Sequence, residues 1–185
     1  MAELDFVFNT GAAWTDLLGT LRYPYTEDPL DRLTSPERLA EWFVAVGLAP
    51  TAPPSDDDLA LAQATREALR TLATGALGLP LPPGSPDAEE AVRVLGGVGA
   101  PGSAFELAGN DALRPRNPAD TRAALARIVA SATTDLGHHP QDFGQCSDPG
   151  CRKIYLDASH VRKACCDTCS TRLRVRAYRE RTKRA

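Results

Sequence analysis

The sequence lacks several features that would place it in a familiar class of protein. No cysteine occurs before residue 146, so most of the chain offers no thiolate metal site and no disulfide framework. No apolar run approaches the roughly 18 residues needed to cross a bilayer, so we expect no membrane span. The acidic N-terminus, MAELDFVFNTG, has no basic segment followed by an apolar one. It therefore does not resemble a signal peptide, and we expect a cytoplasmic protein.

Motifs of catalysis and of phosphate binding are also missing. The glycine-rich run GGVGAPG at 96–102 is not followed by the Gly-Lys-Ser/Thr of a phosphate-binding loop, so it is predicted to be a connector. No Ser/His/Asp or Cys/His arrangement stands out. Four polar and aromatic residues near the N-terminus are predicted to pack and cap rather than to line a pocket: Trp14, Asp16, Arg22 and Tyr23. We therefore expect no enzymatic activity.

Charge divides the chain into two unlike parts. Residues 1–144 carry 10 arginines, no lysine and 20 acidic residues, which gives a net charge of −10. Residues 145–185 carry 11 basic and four acidic residues, which gives +7, and they contain all five cysteines. The contrast predicts two domains, 1–140 and 141–185, of which the second suits a polyanionic partner. Alternatively, its basic side chains pair with the acidic body of the same chain or of a second copy.

The acidic body is predicted to be mainly helical. Helix starts are indicated where a capping residue precedes proline or a cluster of acids, at Ser35, Ser55, Ser85 and Asn117. The third of these helices is expected to end at Leu95, and the fourth at Gly137. Between them, the segment from Ser103 to Leu113 predicts a small hairpin.

The cysteines form two groups, Cys146 with Cys151, and Cys165 with Cys166 and Cys169. Pro149-Gly150 predicts a tight turn that brings the first two thiolates to one point. Four thiolates in two close groups satisfy tetrahedral zinc, with either Cys165 or Cys166 as the third ligand. Two disulfides, or a redox-active Cys166-x-x-Cys169 pair, are the alternatives, which a reducing compartment and the odd cysteine count disfavour.

The segment around the cysteines is predicted to form a small zinc module. Residues 153–157 alternate as in a strand, 158–163 turn and return, and a helix opens at Cys169. This order matches a treble-clef unit whose stability comes mostly from the metal. Its small core is expected to contain Ile154, Leu156, Leu173, Val175 and Tyr178. The predicted fold is thus mainly α with a small β element: a helical N-terminal domain plus a C-terminal treble-clef-like zinc finger.

The last helix is strongly basic, and Glu180 is its only acidic residue after Cys169. Arginine forms bidentate pairs with phosphate, so contact with a nucleic-acid backbone is the natural interpretation. The predicted nucleic-acid-binding residues are those of the helix and three that precede it: Arg172, Arg174, Arg176, Arg179, Arg181, Lys183 and Arg184, with Lys153, Arg162 and Lys163.

These residues resemble the CGNR zinc-finger family, bacterial proteins in which a helical ABATE domain precedes a C-terminal finger. Cys146-SDPG-Cys151 matches the first pair of that finger, and residues 154–159, IYLDAS, match its middle segment. Cys169 and Arg172 stand at the ends of the family's Cys-Gly-Asn-Arg motif, with Ser-Thr between them. The segment TGAAWTDLLGTL at residues 10–21 is similar to the opening of the family's N-terminal domain.

The resemblance implies a regulator of transcription, assigned in this family to stress responses, that binds DNA and holds one structural zinc ion. The family spacing favours Cys165 over Cys166, so the ligands it implies are Cys146, Cys151, Cys165 and Cys169. The alternative function is a protein-interaction or small-ligand-binding module with the finger as a docking element. A homodimer and a small-molecule effector are further hypotheses that the sequence leaves open.

Overall fold

The computed structural model describes residues 5–8, 10–107 and 113–184, and within these the protein is mainly helical with a little β structure, as predicted. The elements up to residue 139 are α1 (Ala13–Leu18), β1 (Leu21–Arg22), β2 (Leu30–Asp31), α2 (Pro36–Ala45), α3 (Asp56–Ala76), α4 (Ala88–Val98), β3 (Phe105–Leu107), β4 (Leu113–Pro115) and α5 (Thr121–His138). The C-terminal elements are β5 (Phe143–Gln145), β6 (Ile154–Leu156) and α6 (Asp167–Arg184). The strands form three separate antiparallel pairs, β1 with β2, β3 with β4, and β5 with β6. No helix of the described residues has the length and apolar character to cross a bilayer.

The structure confirms two of the predicted helix starts. The Ser35 hydroxyl accepts a hydrogen bond from the backbone N–H of Arg38 at 3.3 Å and caps α2, whose first residue is a proline. Ser55 caps α3 in the same way, with the N–H of Asp58 at 3.2 Å. Just past the end of α2, Gly47 adopts a left-handed φ of 71°, which glycine adopts without steric cost. The predicted hairpin also forms, as β3 and β4.

Other predicted boundaries are wrong. Helix α4 begins after Asp87, which caps Glu90 N–H at 2.9 Å, and not at Ser85. It then continues through two glycines to Val98, where a loop was expected. Each glycine costs a helix roughly 1 kcal/mol, but Val98 is only 1% exposed, and its burial favours the extra turn. Helix α5 begins after Asp120 instead of Asn117 and runs one residue past Gly137.

The body packs around one apolar cluster that α1, α2, α3 and α5 share. Trp14 of α1 is completely buried there, as predicted for this residue. Its indole N–H donates to a carboxylate oxygen of Asp135 at 2.7 Å, which satisfies the buried donor. The hairpin formed by β5 and β6 contributes Phe143 and Ile154 to the same cluster. The rings of Trp14 and Phe143 lie 4.9 Å apart, so the C-terminal segment and the body share a core.

Strand β6 also meets the body backbone at a close approach. The Leu156 N–H donates to the Thr10 carbonyl at 2.7 Å. Next to it, Gly11 has a left-handed φ of 92°, and a Cβ there would lie 2.7 Å from the Cβ of Leu156. Only glycine fits both the conformation and the space, so Gly11 sets how closely the hairpin approaches the body.

Two arginines of α3 are buried, which the sequence analysis did not predict. Arg66 forms a double hydrogen bond with the carboxylate of Asp31, at 2.8 Å for each nitrogen. Arg70 donates to the Leu18 carbonyl at 2.9 Å and pairs with Glu67. Charges buried this deeply persist only when paired. The Arg66–Asp31 pair therefore holds β2 firmly against α3.

Candidate metal centre

The hairpin and the turn after it place the first two cysteines. Strand β6 pairs with β5, which precedes Cys146, so the expected pairing with a return through residues 158–163 is wrong. The ladder continues beyond β5, because the Cys146 N–H donates to the Lys153 carbonyl at 2.8 Å. The predicted tight turn is confirmed by the Cys151 N–H, which donates to the Asp148 carbonyl at 2.8 Å across Pro149-Gly150. Both thiols are thereby held at one end of the hairpin.

Residues 157–163 form a folded loop without the expected return. One carboxylate oxygen of Asp157 accepts from the Arg162 N–H at 2.7 Å, which closes the loop. The hydroxyl of buried Tyr155 donates to the Arg162 carbonyl at 2.6 Å, and the Arg162 guanidinium lies 4.8 Å from the centre of that ring. The same guanidinium donates to the Cys165 carbonyl at 2.7 Å. Arg162 thus positions the third cysteine.

Helix α6 begins at Asp167, two residues earlier than predicted, and carries Cys169 in its first turn. The expected core of this segment is wrong in part. Ile154 is buried, but Val175 and Tyr178 of α6 are 43% and 64% exposed. Only the start of α6 is therefore packed, beside the cysteines.

The sulfurs of Cys146, Cys151, Cys165 and Cys169 all lie within 4.8 Å of one another. The Cys165 sulfur is 3.6 Å from that of Cys151 and 3.8 Å from that of Cys169. Sulfurs at about 2.3 Å from a tetrahedral zinc ion would be separated by about 3.8 Å, so the donor set fits this metal. A disulfide needs about 2.05 Å, and all five thiols are free. Cys166 is outside the group, although its sulfur is 3.9 Å from that of Cys165.

Because these four thiols lie close together, their pKa values shift in different directions. The thiols of Cys151 and Cys165 donate hydrogen bonds to Cys146, which lowers the pKa of Cys146 to about 2. Donating to Cys146 raises the pKa of Cys151 and of Cys165, and burial raises the pKa of Cys169. Without a cation, the raised pKa values of Cys151, Cys165 and Cys169 favour their protonated thiols. A divalent ion removes this preference because it compensates the additional thiolates.

Zinc binding should accordingly release protons. We expect at least about three protons per zinc ion at neutral pH, because Cys151, Cys165 and Cys169 have raised pKa values and must lose their protons to bind the metal. Protons compete more strongly as the pH falls, so the zinc affinity should fall with it. Calorimetric titration of the zinc-free protein in buffers of different ionisation enthalpy measures the number released. A pH-independent affinity without proton release would contradict the four-thiolate site.

A short hairpin, a folded loop and the first turn of a helix that converge four cysteine sulfurs define a zinc finger. Comparison with known families agrees, because the CGNR zinc finger model matches residues 143–182. The ABATE model, described as "Putative stress-induced transcription regulator", matches residues 11–139. The chain therefore belongs to the ABATE family and holds one structural zinc site in a CGNR zinc finger. None of the curated proteins compared with it matches significantly.

The predicted nucleic-acid-binding residues fall into two groups. Lys153 is half-buried beside the cysteines, and Arg162 packs on Tyr155. Arg172 lies 3.5 Å from the carboxylate of Asp148. Arg162 and Arg172 are nevertheless exposed, as are the others on the loop or along α6: Lys163, Arg174, Arg176, Arg179, Arg181 and Lys183. The side chain of Arg184 is not among those the structure describes.

A cavity of about 160 Å³ lies between the β1–β2 end of the body and the metal centre. Arg22 and Tyr23 line it, so the prediction that these two residues only pack or cap is wrong. Arg32, which the sequence analysis did not single out, lines it as well. The sequence carries no local signal for this placement, because the cavity forms only when the finger packs on the body.

Proposed function

We propose that the protein binds DNA through α6 and regulates transcription. The observation that carries the proposal is the exposure of most of this helix to solvent. Beyond Leu173, every side chain of α6 that the structure describes is exposed. The helix carries seven basic side chains and two acidic ones. A cationic helix surface that remains exposed is available to a phosphate backbone.

The basic side chains are concentrated on one face. Arg172, Arg176, Arg179 and Lys183 have the spacing i, i+4, i+7 and i+11, so they form a stripe about 16 Å long. They line a shared groove along α6, to which Asp148 and Glu180 also contribute. Arg174 and Arg181, seven residues apart, lie on the opposite face. The stripe is the surface we assign to the phosphates.

In this proposal zinc presents the helix and takes no part in chemistry. Four sulfur ligands leave no open position for the water that a catalytic zinc site keeps, so we expect no hydrolytic activity. The metal joins the first turn of α6, through Cys169, to the turn that holds Cys146 and Cys151. The basic part of the helix then projects from a fixed base.

The two faces of α6 provide a matched test. We expect Arg176→Gln/Arg179→Gln to weaken binding to a DNA duplex at least about tenfold at moderate salt, and to lower the salt slope by about two. The control Arg174→Gln/Arg181→Gln removes the same charge and should have the smaller effect. Fluorescence anisotropy over a salt series measures both. Equal effects would refute the stripe, and no salt-dependent binding by the unmodified protein would refute DNA binding.

A protein partner is the second candidate, and the exposed Val175 and Tyr178 favour it. These apolar side chains occupy adjacent parts of α6 beside the basic stripe. Aromatic and apolar side chains of this kind anchor protein interfaces. On this hypothesis Tyr178→Ala abolishes partner binding, and the protein shows no salt-dependent affinity for DNA.

A further inference from the structure

The finger loop, residues 158–163 between β6 and the third cysteine, presents an apolar side chain to solvent. Val161 is 76% exposed, the largest exposed fraction among the large apolar side chains that the structure describes. It stands between His160 on one side and Arg162 and Lys163 on the other, and the loop contains no acidic residue. The finger loop therefore combines one apolar side chain with basic neighbours.

Hydrogen bonds fix the backbone on both sides of Val161. Before it, the His160 N–H donates to the Asp157 carbonyl at 2.9 Å. After it, the Arg162 N–H donates to the Asp157 carboxylate at 2.7 Å, and the Arg162 carbonyl accepts from the Tyr155 hydroxyl at 2.6 Å. A loop that is already held in one conformation binds a partner without the entropy cost of ordering it.

The finger loop adjoins the base of the basic stripe of α6. The Lys163 carbonyl accepts a hydrogen bond from the Ser147 N–H at 2.9 Å. The next residue, Asp148, has its carboxylate 3.5 Å from Arg172, the first residue of the stripe. Ser147 and Asp148 are neighbours in the chain, with Cα atoms about 3.8 Å apart. The exposed Lys163 therefore extends the cationic surface beyond the base of α6.

The composition of the finger loop favours DNA over a protein as its partner. Val161 is the only large apolar residue between Leu156 and Cys165, whereas protein interfaces bury clusters of apolar and aromatic anchors. A DNA groove presents sugar carbons and thymine methyl groups between two rows of phosphates. One valine with basic neighbours complements such a surface in both charge and polarity.

We infer that the finger loop is a second DNA-contacting element, in which Lys163 binds a phosphate and Val161 packs against sugar and base inside the groove. His160 is not assigned to a phosphate, because its ring nitrogen lies 3.7 Å from the Asp142 carboxylate. The inference rests on the DNA binding proposed for α6. It adds a contact to base edges, which carry the sequence information that phosphate contacts lack.

Fluorescence anisotropy of the zinc-loaded full chain tests both contacts, with a duplex that the unmodified protein selects from a random pool. We expect Val161→Ser to weaken binding at least about fivefold without changing the salt slope, because a valine releases no counterions. Lys163→Gln should lower the salt slope by about one. Val92→Ser is the matched control, because Val92 is 60% exposed on α4 and lies outside the finger. It should bind as the unmodified protein does.

Zinc per chain is measured on every variant, and if one of the two loop variants loses zinc, the other decides alone. Unchanged affinity of Val161→Ser, or an unchanged salt slope of Lys163→Gln, overturns the inference. The proposal for α6 survives that result if Arg176→Gln/Arg179→Gln still weakens binding. If the unmodified protein selects no duplex and shows no salt-dependent affinity for DNA, the α6 proposal fails and the finger-loop contact fails with it.

Discussion

Cys165→Ser should abolish stoichiometric zinc binding, and Cys166→Ser should preserve it. The Cys165 sulfur lies within 4.8 Å of each of the other three in the cluster, whereas Cys166 is outside it. A serine hydroxyl is not ionised at neutral pH and does not replace a thiolate. Structural zinc contributes an apparent 10–16 kcal/mol in small fingers, which is comparable to the whole stability of a domain. We therefore expect the segment from residue 146 to the start of α6 to lose its order with the metal.

Metal analysis after gel filtration measures zinc per chain, and hydrogen exchange reports the order of residues 146–170. The two variants are well matched, because they change adjacent cysteines by the same atom. Treatment of the unmodified protein with a strong chelator should reproduce the Cys165→Ser result. Zinc retained by Cys165→Ser and lost by Cys166→Ser would show that the third zinc ligand is Cys166 and not Cys165.

Trp14→Ala should destabilise the body and the finger together. Trp14 is completely buried, and removal of a buried tryptophan side chain costs about 3–5 kcal/mol. The variant also leaves Asp135 without its indole donor and Phe143 without its ring partner. Because Phe143 begins β5, we expect faster release of zinc to a chelator as well as a lower urea midpoint.

Trp42→Ala is the control for this coupling. Trp42 is equally buried in the same cluster, but its ring partner is Phe43 of its own helix, 5.4 Å away. A similar loss of stability with little change in the zinc release rate is expected. If both variants release zinc at the same rate, the Trp14–Phe143 contact does not specifically support the finger.

The features that the sequence predicted well are local ones. Ser35 and Ser55 cap their helices through contacts three residues away, and the tight turn at Pro149-Gly150 depends on two adjacent residues. The zinc site was predictable because its ligand chemistry and spacing are carried by two short motifs.

The features that were missed depend on distant parts of the chain. Helix α4 continues through its glycines because Val98 reaches a core formed by other helices. Arg66 can be buried because its guanidinium donates a hydrogen bond to the carboxylate of Asp31, 35 residues earlier. The partner of β6 is the segment before Cys146, and nothing in the alternation of residues 153–157 specifies that choice. The basic residues that line the cavity beside the metal centre were missed for the same reason, because three separate segments supply them.

The core that the hairpin shares with the body has a practical consequence for dissecting the protein. A fragment cut at residue 140 would lack Phe143 and Ile154, and the indole of Trp14 would lose the ring that covers it. A fragment that starts there would in turn expose the inner face of β5 and β6. Each fragment would expose apolar surface that is buried in the intact protein and would tend to aggregate. Solubility and affinity measured on fragments would therefore reflect this exposed surface as well as the properties of the native protein.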